Sequence, residues 1–117
     1  MKKIYHLSSC STCQRILKEI NPPADFVLQD IKEANIEPET LDWLAQKTGS
    51  YASLFSKRAM KYRGLGLHEM ELSEQDLRKY ILAEYTFLKR PVIIHEEEVF
   101  IGNSKKEVAA AMSSVQE

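Results

Sequence analysis

The chain has 117 residues, 44% of them apolar and 28% charged, and its 16 Lys and Arg against 17 Asp and Glu leave a formal net charge of -1. That length suits one domain around one hydrophobic core. The balanced charge excludes bulk nucleic-acid binding by counterion release, and no window approaches the ~20 apolar residues of a membrane span.

The first ten residues, MKKIYHLSSC, carry two lysines, but the apolar run is short and broken by His6 and Ser8. It does not read as a signal peptide, and the expected compartment is the cytoplasm. Ile4, Tyr5 and Leu7 predict a strand, which Ser8-Ser9 ends. From Cys10 onward Ile16, Leu17 and Ile20 recur at helical spacing, with Lys18 and Glu19 on the other face. Asn21-Pro22-Pro23 stops that helix, and DFVLQDI predicts a second strand from Asp25 to about Ile31. A crossover helix of this length joins parallel strands with a right-handed connection. Both cysteines of the chain, Cys10 and Cys13, then fall at the strand-to-helix junction.

The middle of the chain, about 38–86, reads as a helical insertion within a single domain spanning 1–117. Pro38 suits a first helical turn, and Leu41, Leu44 and Ala45 supply an apolar stripe ending near Gly49. YASLFSKRAMKYRGLGL predicts a shorter helix that stops before Gly64 and Gly66, with Lys57 and Lys61 on one face and Arg58 beside them. Such a run is either a solvated face or a cationic surround for an anion. Ser73 is a good N-cap, with Leu72 and Leu77 at the two positions of a hydrophobic staple, for a helix over SEQDLRKYILAEY. Trp43 is expected to pack against a helix or the core.

The last third changes period. RPVIIHEEEVFIG predicts an antiparallel hairpin of Val92 to His95 and Val99 to Ile101 around an acidic turn. Ser104-Lys105-Lys106-Glu107 has the form of a capping box and opens a final helix to Met112, after which SSVQE is expected to fray. The order is β-α-β, a helical block, then β-β-α. This is an α/β arrangement with a small mixed sheet flanked by helices, in the thioredoxin-like pattern.

Within it, Ser9 or Cys10 lies where the N-cap should be. Unpaired N–H groups and the helix dipole put partial positive charge there, which stabilises a thiolate and lowers the thiol pKa. Cys13 lies about one turn further in, on nearly the same face and less exposed. The pair suits a nucleophile, Cys10, with a resolving thiol, Cys13. Ser11 and Thr12 add hydroxyl donors, and Arg15 adds positive charge unless its helical position points it away. Two buried thiols of purely structural role remain an alternative. A zinc site needs further ligands, and His6, His68 and His95 show no paired metal spacing. Pro91 stands at a strand start, where a missing ladder donor is tolerated. Arg90 before it either aims a bidentate donor at the cysteine pocket or forms a solvated pair with Lys89.

At these residues the chain resembles the arsenate reductase (ArsC)/Spx/YffB family. The resemblance covers nearly the full length: the strand-Cys-x-x-Cys-helix start, FSKRAMKYRGL, LKRPVII and IGNSKKEV. It implies a thioredoxin-like fold, a catalytic cysteine at Cys10, and a pocket shaped by Pro91 next to Arg90. It implies no tightly bound cofactor. The electron donor would be glutathione, or thioredoxin or glutaredoxin. In the arsenate reductases three arginines hold the oxyanion. Arg90 matches one of them, while the other two fall near Ser53, with Arg58 close by, and near Asn103. The arginine that follows the cysteine loop in many relatives matches Gln14, with Arg15 one place later. Each lost hydrogen bond to a charged group costs roughly 1.5–3 kcal/mol of affinity, so efficient arsenate reduction is not expected. In the Spx-type regulators the two cysteines form a disulfide switch and the partner is the RNA polymerase α subunit. The resemblance therefore carries two readings, a thiol-disulfide oxidoreductase and a redox-switched regulator, and neither calls for direct nucleic-acid or membrane binding.

Overall fold

A computed structural model describes residues 1–116 of the chain. Four strands, β1 (Lys2–His6), β2 (Val27–Asp30), β3 (Val92–His95) and β4 (Glu98–Ile101), form one mixed sheet in the order β2-β1-β3-β4. β1 pairs parallel with β2, placing Ile4 opposite Leu28, and antiparallel with β3, placing Ile4 opposite Ile93. The hairpin partner β4 completes the far edge. The helices are α1 (Ser11–Ile20), α2 (Pro38–Thr48), α3 (Met60–Gly64), α4 (Glu74–Ala83) and α5 (Lys105–Val115). The chain divides into two compact units, one of Met1–Ala34 with the segment from Arg90 onward, the other of Asn35–Lys89.

In the sheet unit, directly paired residues share a face of the sheet, so Ile4 and Ile93 point the same way. They meet Ile16 and Ile20 of α1 and Val108, Ala111 and Val115 of α5 in one buried cluster, to which Phe26 is added. Asn21 closes α1 in the left-handed region, φ 47°, with its N–H on the Leu17 carbonyl. β2 is shorter than the expected Asp25–Ile31. A turn carrying the Phe26 N–H to the Pro23 carbonyl delays its start, and the Asp30 carboxylate, accepting from the Lys32 N–H at 3.1 Å, bends the chain away at its end.

The expectation that SSVQE frays is corrected. α5 stays wound to Val115 because Ser114 and Val115 are buried. The Ser114 hydroxyl donates to Glu98 Oε1 at 2.9 Å and lies 2.8 Å from His95 Nδ1, tying the helix to the hairpin. Glu117 lies outside the described residues. Only half of the expected Ser104–Glu107 capping box forms. Ser104 accepts from the Glu107 N–H, while the Glu107 carboxylate turns to the Ile101 N–H.

In the helical unit, α2 buries Leu41, Leu44 and Ala45 and ends at Gly49, whose φ of 96° lets its N–H reach the Ala45 carbonyl. Ser73 and Asp76 cap the start of α4 reciprocally, and Asn35 Nδ2 donates to the Ile81 carbonyl near its end. α4 stops at Ala83 rather than running through Tyr85, because the Glu84 carboxylate accepts from the N–H and hydroxyl of Thr86 and starts a 3-10 turn over Tyr85–Phe87. The single helix expected in YASLFSKRAMKYRGLGL is also corrected. It is a 3-10 turn at Ala52–Leu54, then α3, whose last residue is Gly64, then a 3-10 turn at Leu67–Glu69. Phe55 bridges Leu88 and the Ser56 N–H bonds the Phe87 carbonyl, which holds the chain extended there. Lys57 and Arg58 therefore lie in a turn ahead of α3, and Lys57 and Lys61 share no helical face. Trp43 is half-buried beneath the Lys47 ammonium, 5.5 Å from its ring centroid.

Asp42 joins three elements of this unit. It accepts from Arg78 Nε at 2.7 Å, Arg78 Nη2 at 3.2 Å and the Tyr51 hydroxyl at 2.6 Å. The hydrogen bonds from Arg78 and Tyr51 hold its carboxyl below the usual aspartate range. A carboxyl lowered on folding stabilises the fold above its unfolded pKa of about 3.9, and the contribution fades as pH falls toward the lower folded value. Both side chains of the ion pair are partly exposed, so Asp42→Asn should cost only about 1 kcal/mol at pH 7. Thermal unfolding of the two proteins should show that gap narrowing below about pH 4, and a gap independent of pH would sink the assignment.

Candidate functional site

The site is built where β1 runs into α1. The Cys10 N–H donates to the Leu7 carbonyl at 3.0 Å, closing a turn, and Cys10 is the N-cap residue of α1 with φ -94° and ψ 109°. The helix then opens with the Gln14 N–H on the Cys10 carbonyl at 3.1 Å. Cys10 is half-buried and Cys13, one turn on, is fully buried; both are free thiols.

Burial pushes the Cys10 thiol up, but the Cys13 backbone N–H, the Cys13 thiol and the Arg90 guanidinium together bring it below its ordinary value. Burial also dominates at Cys13 and pushes it up to about 11. The neighbouring Cys10 adds to that rise, while the Leu7 backbone and Arg90 work against it. Side by side, one thiol is shifted toward ionisation and the other, at about 11, holds its proton at neutral pH.

Arg90 and Pro91 come from the other end of the chain. The Arg90-Pro91 peptide is cis, and the Pro91 carbonyl accepts from the Gly102 N–H at 2.9 Å. Gly102 has φ 89°, a backbone that a side-chained residue adopts only with strain. Of the residues singled out in the sequence, Cys10, Cys13, Arg90 and Pro91 thus belong to the sheet unit, with Ser11 exposed and Thr12 half-buried in the first turn of α1. Arg15 is exposed and pairs with Glu19 at 3.7 Å, one turn further along the helix. It lines a groove of about 310 Å³ between α1 and α5, with Ile16, Asn103, Lys105 and Met112. Arg58 is an exposed residue of the helical unit, and in that unit the Ser53 hydroxyl is engaged by Thr48 and the Ser50 carbonyl.

Three residues around the cysteine turn were not anticipated as part of it. Gln14 Nε2 donates to the Leu7 carbonyl at 3.0 Å and lies 3.4 Å from His6 Nδ1. Asp30 at the end of β2 faces Ser8, whose N–H is 3.4 Å from its Oδ1, and the Ser8 side chain and nearby His6 help hold its carboxyl below the usual range. Their identities carry no recognisable spacing. The one signal was that Gln14 falls where many relatives place an arginine. Among the described residues no group of three or more His, Cys, Asp and Glu could hold a metal ion, and no helix is long and apolar enough to cross a membrane.

No curated protein matches the sequence. Solved structures do. The YFFB protein is 22% identical over 96% of this chain and 99% of its own, with a TM-score of 0.78. Arsenate reductase from Vibrio cholerae is 20% identical over 94% and 96%, also at 0.78. An arsenate reductase (ArsC) related protein from Brucella melitensis is 19% identical over 93% and 92%, at 0.65. At such identities these likenesses establish the fold, which is the α/β, thioredoxin-like arrangement expected from the order of elements. The family model is more direct, since it matches residues 5–111, from within β1 to within α5. The chain belongs to the ArsC family.

Proposed function

We propose that this protein is a thiol-disulfide oxidoreductase with Cys10 as nucleophile and Cys13 as resolving thiol. The observation that carries the reading is the placement of the two free thiols, Cys10 half-buried at the N-cap of α1 and Cys13 fully buried one turn further in; the lowering of Cys10 and raising of Cys13 agree with it. The Cys10 thiolate attacks a substrate disulfide, forming a mixed disulfide and expelling one substrate thiolate, which takes a proton from water. Cys10 then carries no charge and no longer shares a hydrogen bond with Cys13 as an anion does. Two of the influences that held the Cys13 proton are gone, and the Arg90 charge remains to favour ionisation. Cys13 gives its proton to solvent, replacing the one the first thiolate drew from it, then attacks the Cys10 sulfur as a thiolate and releases the second substrate thiolate. The substrate has gained two electrons and the protein holds a Cys10–Cys13 disulfide, which two thiols of a donor such as glutathione, or a thioredoxin or glutaredoxin, return to the dithiol. Arg90 stabilises the developing sulfur anion, Pro91 shapes the pocket wall, and Ser11 and Thr12 offer donors at its rim.

Arsenate is the weaker substrate in this reading. Of the three arginines that hold the oxyanion in arsenate reductases only one has a counterpart in this chain, Arg90, and Arg15 is drawn toward Glu19. With glutathione as donor, the protein should turn over a small-molecule disulfide and reduce arsenate at no more than the uncatalysed rate. Fast arsenate turnover would overturn the preference. Reversible formation of the Cys10–Cys13 disulfide with no turnover of either substrate would favour the second reading that the paired thiols allow, a redox switch acting through a partner such as the RNA polymerase α subunit.

A further inference from the structure

We propose that Gln14 is a positioning residue for Cys10, clamping the turn that presents the nucleophile. Its backbone N–H holds the Cys10 carbonyl at 3.1 Å, and its side-chain amide holds the Leu7 carbonyl at 3.0 Å. Those two carbonyls belong to the first and last residues of the Leu7–Cys10 turn, so a single residue of α1 grips both of its ends. The Leu7 carbonyl also takes the Cys10 N–H, and it is therefore the common anchor of the turn and the clamp. The amide of Gln14 has two hydrogens. One serves Leu7, and the amide nitrogen also lies 3.4 Å from His6 Nδ1, which accepts the other when its tautomer leaves Nδ1 unprotonated. On the outer side the Asp30 carboxylate faces Ser8 of the same turn.

Turn geometry matters here because the influences that lower Cys10 are short-range. The Cys13 N–H and the Arg90 guanidinium act on a sulfur whose position is set by the Cys10 backbone. An arginine at this position would bring charge to the site. Gln14 brings only neutral donors, and they are directed inward at the backbone.

The inference rests on the reading of Cys10 as a reactive thiolate, and its test separates the two. Gln14→Met keeps the length and bulk of the side chain and removes both N–H donors. Iodoacetamide labelling of Cys10 across pH should show its midpoint rising by about half a unit, equivalent to about threefold less thiolate at neutral pH. Hydrogen exchange at the Cys10 amide should speed up, with the melting temperature changed by only a few degrees. Gln14→Lys, which returns an N–H donor of similar reach, should restore the protection of the Cys10 amide. If Gln14→Met fails to fold, Gln14→Glu removes the same donors, and at high salt its added charge is screened. A wild-type midpoint together with wild-type amide protection in the donor-less variant would overturn the clamp. An ordinary thiol profile in the wild-type protein would instead defeat the oxidoreductase reading, and amide exchange alone would then judge the clamp.

Discussion

Cys10→Ser should lose thiol-dependent turnover by roughly 10³-fold or more, the scale seen when a covalent nucleophile is removed. A serine hydroxyl fits the same space at the start of α1, but it does not ionise at neutral pH and cannot form or exchange a disulfide. Nothing else in the sheet unit replaces it, since Cys13 is fully buried, and burial, the largest influence raising its thiol, acts in the variant as well. Cys13→Ser should behave differently. The first attack survives, and a mixed disulfide on Cys10 accumulates that intact-protein mass spectrometry reads directly. Full turnover by Cys10→Ser in a coupled disulfide-reduction assay would remove Cys10 from the mechanism.

The largest effect on stability is expected at Ile4. It is fully buried on the central strand β1, opposite Ile93 and against Ile16 and Ile20 of α1 and Val108 and Ala111 of α5. Truncating a buried isoleucine to alanine removes its transfer free energy and leaves a cavity that packed neighbours fill only in part, about 2–5 kcal/mol together. Domains of this size hold only about 5–15 kcal/mol in total. Ile4→Ala should therefore lower the midpoint of chemical denaturation sharply with little change in slope, while Ile4→Val should cost about 0.5–1.5 kcal/mol. A loss under 1 kcal/mol for the alanine variant would mean that the cluster rearranges to close the gap.

Features that depend on near neighbours in the chain could be read from residue order. The crossover from β1 through α1 to β2, the limits of β3, the Asn21 stop, the Ser73 cap and an N-cap of α1 at Ser9 or Cys10 all follow from patterns a few residues long. α3 defeated that approach because the break ahead of it comes from the distant partners Phe87 and Leu88, which hold Phe55 and Ser56 extended. The end of α5 was misjudged for the same reason. Ser114 is polar and near the terminus, and only the hairpin carrying His95 and Glu98 explains its burial. At the site, Cys10 and Cys13 announce themselves by spacing. The reach of Gln14 back to Leu7 depends on the shape of a turn that composition does not encode.

The weak cap of α1 has a cost that the rest of the chain makes visible. Ser73 and Ser104 each bind a helix N–H with their hydroxyls, whereas the Cys10 side chain makes no such cap bond. A proper cap stabilises a helix by about 0.5–2 kcal/mol, and serines stand on both sides of Cys10 without occupying the position. The first turn of α1 is thus held by a weaker cap than a hydroxyl makes, and its Cys13 N–H serves the Cys10 sulfur better as an anion than as a thiol. Cys10→Ser and Cys10→Asp should then unfold at a higher temperature than the wild type while doing no thiol chemistry. In the oxidoreductase reading, Cys10 is the residue that selection for stability alone would replace, and the point in the fold where reactivity and robustness are opposed.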